Sequence, residues 1–568
     1  MEAGKRTIND IFNGAKILEI PFFQRSYVWG EEQWERFLDD MYDICANNNV
    51  YFLGSVILKQ ILTTDKGVGD RRIVIDGQQR LTTLNIFFKI ISLLSDKQRE
   101  FNRTFRLLDD NIALKHNHND ISSFEKIMNL DKLEEINKKD AISLCYNYFY
   151  KNIDIEKISF NTLIQKILFI GIEIVENEDE QQIFDTINSL GVKLTTAELL
   201  KNYFFNKDNF SMYDSYWKNI YETDDEIKEY WDTEITAGRI KRTLIDIFLF
   251  SYLQIKIQTK TLNLKTEEKI NLSKVEHLFQ SFKYFISNFL NNDKESVLKE
   301  LKEYAIIFKN NINPKIISDH LNQESSIDRI NALIFGLENS TLIPYTLYVL
   351  KHNSNEQERK ELFGCIETFI MRRIICRTNN KSYNNLFTDR LIFREIIKKQ
   401  DFIKHIDTQD DKVNFMPNND ELLEGFNNSV LSNKAASGVL YLIESKIRTT
   451  LYNSTKLLGI SKYSLEHLMP KKWENNWGKL EEKEEIDKRN RKLLTLGNLA
   501  IITQNLNSKI RDLNWEVKKN GTNNNGLKNY TRDLETINKY LDLTTWDESE
   551  IEKRALDLYN YALDIWKI

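Results

Sequence analysis

Apolar and polar positions along this chain fall into three successive regimes. Over roughly residues 1–225, short β-branched runs alternate with helical patterns. Residues 51–58 (Y-F-L-G-S-V-I-L) and 72–75 (R-I-V-I) read as strands, and the polar, Gly-containing stretch 63–70 between them predicts a long-looped hairpin. Residues 81–94 are apolar on several faces, the pattern of a buried helix. Residues 171–175 predict a further strand, followed by a helix through 181–189 that the Asn188/Gly191 turn terminates. From about 205 to 453 the periodicity is helical almost throughout, with few glycines and with Pro314, Pro344 and Pro417. Strands then return at 463–468 and 499–503, with Pro470 stopping the first, and 505–513 has helical spacing. Thr545 or Asp547 can cap a last helix. The polar segment 407–424 is the best candidate boundary, and no internal repeat or low-complexity linker is present. The expected fold is multidomain α+β and predominantly helical: a mixed domain over 1–225, an all-α central region over 226–424, and a C-terminal domain over 425–568 containing a strand–loop–strand–helix finger.

Composition narrows the class. The chain of 568 residues is 41% hydrophobic, with 32 Phe and 24 Tyr, enough for several cores. No stretch approaches 18 uncharged apolar residues, and no apolar run follows the N-terminal charges, so a cytoplasmic protein without a membrane partner is expected. The four cysteines (Cys45, Cys145, Cys365, Cys376) form no C-x-x-C pair, which excludes a disulfide framework or a four-cysteine zinc ribbon. A net charge of −5 means that any nucleic-acid contact must be local. Residues 365–404, with nine Lys/Arg against four Asp/Glu, and 501–540, with seven against four, are the candidate basic surfaces.

Candidate chemistry concentrates near the C-terminus in S-L-E-H-L-M-P (464–470), L-G-N-L-A-I-I (496–502) and L-N-S-K-I-R (506–511). A chain rich in Asn makes a lone Asn uninformative, but His467 is one of seven His and Pro470 one of five Pro. In a strand–loop–strand–helix metal finger the His ends the first strand, an Asn opens the second, and the last ligand projects from the helix. His467, Asn498 and Asn507 match that order, the H, N and N of an HNH-type (ββα-metal) nuclease. His467, neutral near pH 7, is the expected general base. Asn498 is expected to orient the imidazole. Glu466, His467 and Asn507 are the expected ligands of Mg²⁺ or Mn²⁺, and Lys518 or Lys519 the cation that steadies transition-state charge.

A second motif lies near the N-terminus. V-I-D-G-Q-Q-R-L-T-T-L (74–84) sits between a strand and a helix, where Gly77, the first helix amides and Arg80 form an anion site suited to a phosphate chain. Asp76, Gln78 and Gln79 complete the set, the glutamines orienting a water or contacting a base or ribose. Upstream, Gln24 and Arg25 lie among Phe22, Phe23, Tyr27 and Trp29. Neither a Walker A loop nor G-x-G-x-x-G is present.

Together these motifs resemble the GmrSD family of modification-dependent (Type IV) restriction endonucleases. Residues 464–515 with Trp546, Arg554 and Trp566 resemble its C-terminal HNH domain; 20–29, 51–58, 76–84 and 182–201 resemble its ParB-like D-G-Q-Q-R domain. F-I-M-R-R-I-I-C-R (369–377), with Asn384 and Phe387, also recurs there; Arg372, Arg373 and Arg377 face DNA or an interdomain surface. Glu198 and Lys201 are expected on a helix surface. The resemblance implies binding and hydrolysis of an NTP (GTP or ATP) through residues 76–80 to regulate the nuclease. It also implies a modified double-stranded DNA substrate, bearing for example glucosylated hydroxymethylcytosine or phosphorothioate. A homodimer and other defence-system proteins are the further partners expected. The competing expectations are an NTP-gated DNA-binding adaptor without cleavage and a toxin-like RNase using the same centre.

Overall fold

The computed structural model describes residues 2–568 apart from 13–14, 22–23, 25, 62–69, 175–194, 206–208, 238–239, 323, 408–412, 449–456, 522–525 and 532–533. The chain divides into two compact units, Met1–Trp217 and Lys218–Ile568. The segments expected as a central and a C-terminal domain both fall within the second. Among the described residues no helix is long and apolar enough to cross a membrane.

The first unit is built on a mixed six-stranded sheet in the order β1-β6-β3-β4-β2-β5. Its strands are β1 (Glu2–Thr7), β2 (Lys16–Glu19), β3 (Tyr51–Ile61), β4 (Asp70–Asp76), β5 (Leu114–Lys115) and β6 (Ile167–Ile174). The expected hairpin is present: β3 and β4 run antiparallel, with Ile57 opposite Asp76 and Ile61 opposite Arg71. Helix α1 (Gln78–Leu94) follows β4 after a single residue, Gly77. Leu81, Leu84, Phe87 and Phe88 of α1 share one core with Leu18, Val56, Leu58 and Val74 of the sheet. Each such side chain contributes about 1.5–3 kcal/mol on burial, so the helix carrying the 76–80 motif is anchored by the main core of its unit.

Helix α2 (Thr196–Phe204) starts with a capping box: Thr195 Oγ1 accepts from the Glu198 amide at 3.2 Å and Glu198 Oε2 accepts from the Thr195 amide at 2.8 Å. Glu198 is therefore a cap, and Lys201 is buried rather than on the helix surface. The strand residue Val175, the helix through 181–189 and the Asn188/Gly191 turn lie outside the described residues.

The second unit is mainly helical, but its expected all-α stretch contains a small hairpin, β7 (Glu234–Ala237) against β8 (Ile240–Thr243). The alternation in T-E-I-T-A-G-R-I-K-R-T explains it, because a period of two is a strand pattern even when helices flank it. Helix α3 (Glu356–Ile375) carries the arginine-rich motif, expected to face either DNA or an interdomain surface, and burial removes the first alternative for two of its three arginines. Arg372 and Arg373 are fully buried. Arg372 donates to Trp566 O at 2.8 Å, Pro417 O at 3.0 Å and Asn419 Oδ1 at 2.9 Å. Arg373 donates to Tyr383 Oη and to the carbonyls of Asn379, Val413 and Phe415. Both guanidiniums satisfy loop carbonyls that would otherwise be buried without partners; Arg377 alone of the three is exposed.

Helix α4 (Asn433–Ile447) is followed by β9 (Tyr463–His467), β10 (Leu499–Thr503), α5 (Gln504–Ile510), α6 (Trp515–Asn520) and α7 (Glu548–Ile565). The cap of α7 is Asp547, whose Oδ1 accepts from the Ser549 and Glu550 amides.

Candidate functional site

Strands β9 and β10 pair antiparallel with Leu499 opposite His467 and Ala500 opposite Glu466. Helix α5 begins at the residue after β10, so the strand–strand–helix order expected from spacing is the order observed. Asn507, on α5, donates through Nδ2 to Ser464 Oγ and to Leu465 O, both at 3.0 Å. These bonds bring Asn507 against the strand that ends in Glu466 and His467. They also leave its Oδ1 without a protein partner among the described residues.

His467 is partly exposed, and no hydrogen bond reaches its ring among the described residues. Burial pushes its pKa down to about 4, and the nearby positive charges of Lys471 and Lys518 push the same way. The imidazole is therefore neutral, with a lone pair available, at any pH near 7. Glu466 is buried, and its Oε1 accepts from Lys518 Nζ at 2.5 Å. The same ammonium donates to His467 O at 2.8 Å. Burial raises the Glu466 carboxyl and lowers the Lys518 ammonium, and each charge partly offsets the shift of the other.

Asn498 is placed differently from the expectation. It is fully buried, with Oδ1 accepting from the Met469 amide at 2.8 Å and Trp546 Nε1 at 2.9 Å. Its Nδ2 donates to Met469 O at 2.8 Å and Leu493 O at 2.9 Å. Two donors and two lone pairs are the whole capacity of a carboxamide, so none is left for the imidazole. Asn498 instead pins the turn that follows His467. The adjoining Gly497 is required by space: a Cβ there would lie 2.2 Å from Ile551 O on α7. Arg554, fully buried on α7, donates through Nη1 to the carbonyls of Leu496, Gly497 and Leu499. Lys519 donates to Leu543 O at 3.0 Å and pairs with Glu516. Neither Lys518 nor Lys519 stands free to meet a phosphate. Among the described residues no three His, Cys, Asp or Glu side chains converge as a metal cluster; a centre here depends on the amide oxygen of Asn507.

In the first unit Gly77 adopts φ 101°, in the left-handed region, and a Cβ would meet Val56 Cγ2 at 3.0 Å and Ser55 O at 3.2 Å. Helix α1 has no side-chain cap from Gly77, and the amides of a helix N-terminus are the groups that favour an anion. Arg80 donates to Asp76 Oδ2 at 3.0 Å and Ser55 O at 2.8 Å. Gly54, at φ 125°, makes room for this arginine, because a Cβ there would lie 3.2 Å from Arg80 Cδ and Nε. Gly54 and Ser55 were not singled out by the sequence, where L-G-S-V reads only as strand.

Gln78 is buried. Gln79 is tied to the preceding loop: its Oε1 accepts from the Val28 amide at 2.9 Å and the Trp29 amide at 3.4 Å, and Nε2 donates to Ser26 O at 3.3 Å. Tyr27 between them is held by Asp120 through its amide and by Thr83 and Trp34 through its hydroxyl. Gln24 is buried and accepts from Asn202 on α2 at 3.2 Å. Arg25, with Phe22 and Phe23, lies outside the described residues.

Two family models match the chain. That of the GmrSD restriction endonuclease N-terminal domain covers residues 8–205, and that of the GmrSD restriction endonucleases C-terminal domain covers residues 416–560. The first match contains the 76–80 turn and the second contains every residue of the β9–β10–α5 site. None of the curated proteins matches the chain.

Proposed function

Because the chain belongs to the GmrSD family of restriction endonucleases, we propose that it is an NTP-regulated, metal-dependent endonuclease that restricts foreign DNA carrying a modification, as in anti-phage defence. The observation that carries this reading is the pairing of a neutral imidazole at His467 with an amide oxygen at Asn507, neither with a hydrogen-bond partner among the described residues. Glu466 and Asn507 offer a carboxylate and an amide oxygen, hard donors suited to Mg²⁺ or Mn²⁺. The single lone pair of the neutral His467 ring can either complete that set or accept a proton; the second use is the one proposed. Such an ion, when bound, supplies charge neutralisation at the phosphate and at the leaving 3′-oxygen. The chain's own part begins with His467, which takes a proton from the attacking water at a ring nitrogen. Asn507 is oriented for its role by the two bonds that turn its amide nitrogen toward β9. Asn498, Trp546 and Arg554 fix the turns on either side, so the His467 backbone cannot drift.

The 76–80 turn is the proposed NTP site. The N-terminus of α1 after the left-handed turn at Gly77 suits a phosphate, and Arg80 lies in its first turn. Which NTP binds, GTP or ATP, is set by experiment. A single centre cuts one strand; cutting both requires a second copy of the chain.

The test is cleavage by the purified chain with Mg²⁺ or Mn²⁺, offered modified duplex DNA, unmodified DNA and RNA, each with and without GTP or ATP. Cleavage of modified DNA that responds to NTP, and is abolished by His467→Ala, is expected. Cleavage of RNA alone points to a toxin-like RNase, and NTP-gated DNA binding without cleavage points to an adaptor. Cleavage retained in His467→Ala rejects the site.

A further inference from the structure

Lys518, a member of the expected catalytic set, has no exposed side chain: its relative exposure is 0%, and that of Glu466 is 7%. An ammonium so placed cannot reach a phosphate in solvent. Its two bonds, to Glu466 Oε1 at 2.5 Å and His467 O at 2.8 Å, go instead to the two residues that end β9. A buried carboxylate without a counter-charge is costly, and Glu466 is the only carboxylate in the proposed metal set. We infer that Lys518 is the built-in counter-cation of this centre. Its ammonium holds the Glu466 carboxylate and the end of β9 when no divalent ion is bound, and it competes with that ion for Glu466.

This inference rests on the proposed metal site and adds a sign to it. If Lys518 merely braced the fold, removing it would weaken everything that depends on the fold, ion binding included. As a competing cation, its removal weakens the metal-free protein and strengthens ion binding. Unit charges in contact interact strongly even at the screened values typical of proteins, so the gain in affinity is at least about tenfold. Lys518 is thus a positioning residue, acting through Glu466 and the His467 main chain.

The experiment uses the full chain without nucleic acid and Mn²⁺ as probe, read by electron paramagnetic resonance titration and by thermal melting. Lys518→Met is expected to melt at lower temperature than wild type without metal, to bind Mn²⁺ at least about tenfold more tightly, and to gain more melting temperature from Mn²⁺. Lys518→Arg, which keeps the charge, is expected to keep wild-type affinity. Glu466→Gln combined with Lys518→Met removes both charges and is expected to recover melting temperature but not tight binding. If Lys518→Met folds only when Mn²⁺ is added, the inference is supported; if Mn²⁺ does not rescue it, the inference is overturned. Unchanged or weaker Mn²⁺ binding by folded Lys518→Met, with wild type binding normally, also overturns it. Absence of Mn²⁺ binding by wild type and by folded variant alike rejects the metal site itself.

Discussion

Replacing Asn498 by alanine tests whether this residue belongs to the chemistry or to the scaffold. Four hydrogen bonds are lost together, to the Met469 amide and carbonyl, Leu493 O and Trp546 Nε1. The two N–H donors are then left in a fully buried site without acceptors, at about 1–3 kcal/mol each, and the abandoned carbonyls add to that. A loss of about 3–5 kcal/mol follows, large for a single substitution. It is read as a shift in the urea midpoint of the second unit's transition, followed by tryptophan fluorescence. Trp546→Phe removes one donor and keeps the ring that stacks on Trp515 at 5.2 Å, so about 1 kcal/mol is expected. Because the two side chains share a bond, the double variant loses less than the sum of the single changes. Cleavage falls as well, in step with disorder of the turn after His467. An Asn498→Ala protein that unfolds within about 1 kcal/mol of wild type yet has no cleavage would refute the scaffold argument, and would return Asn498 to the role of orienting the imidazole.

Three further outcomes are expected. Arg80→Ala removes the cation in the first turn of α1 and is expected to abolish NTP turnover; unchanged hydrolysis rejects the role given to Arg80. Gly497→Ala drives a methyl into Ile551 O and destabilises the second unit by more than about 3 kcal/mol, measured by denaturant unfolding; a near-neutral effect contradicts the packing of α7 on that turn. His116 is buried, accepts or donates one bond to Thr82 Oγ1 at 2.8 Å, and is held by burial at about 3, below its ordinary 6.5. The unfolded chain therefore takes up the proton first, and stability present above about pH 6.5 is lost as pH falls toward about 3. At about pH 5 the loss is about 2 kcal/mol, and His116→Asn removes it; a pH-independent midpoint in wild type refutes the assignment.

Much of the local structure was legible because it depends on neighbours in sequence. Short apolar, β-branched runs marked β3, β4 and β10, Pro470 marked the end of β9, and the apolar character of 81–94 on several faces marked α1 as a buried helix. The order of His467, Asn498 and Asn507 along strand, strand and helix follows from the spacing of the motif. Scarcity helped too, since rare His and Pro in a short span are informative where Asn is not. The β7–β8 hairpin was missed because a brief period-two stretch was absorbed into the helical pattern around it.

Roles were decided elsewhere. Nothing in E-H-x-x-P says that Lys518, 52 residues on, occupies the carboxylate. Nothing in G-N-L says that the Asn amide is consumed by Met469, Leu493 and Trp546. Whether Arg372 faces DNA or another part of the protein is open until its bond to Trp566, 194 residues away, is seen. Sequence by itself determined which segments are strands or helices, which residue types are available, and a family likeness resting on motifs at both ends. Tertiary structure alone decided which of those polar groups are already satisfied. The physical reason is that a buried donor or acceptor must find a partner, and the partner is chosen by packing in three dimensions, whatever its distance along the chain.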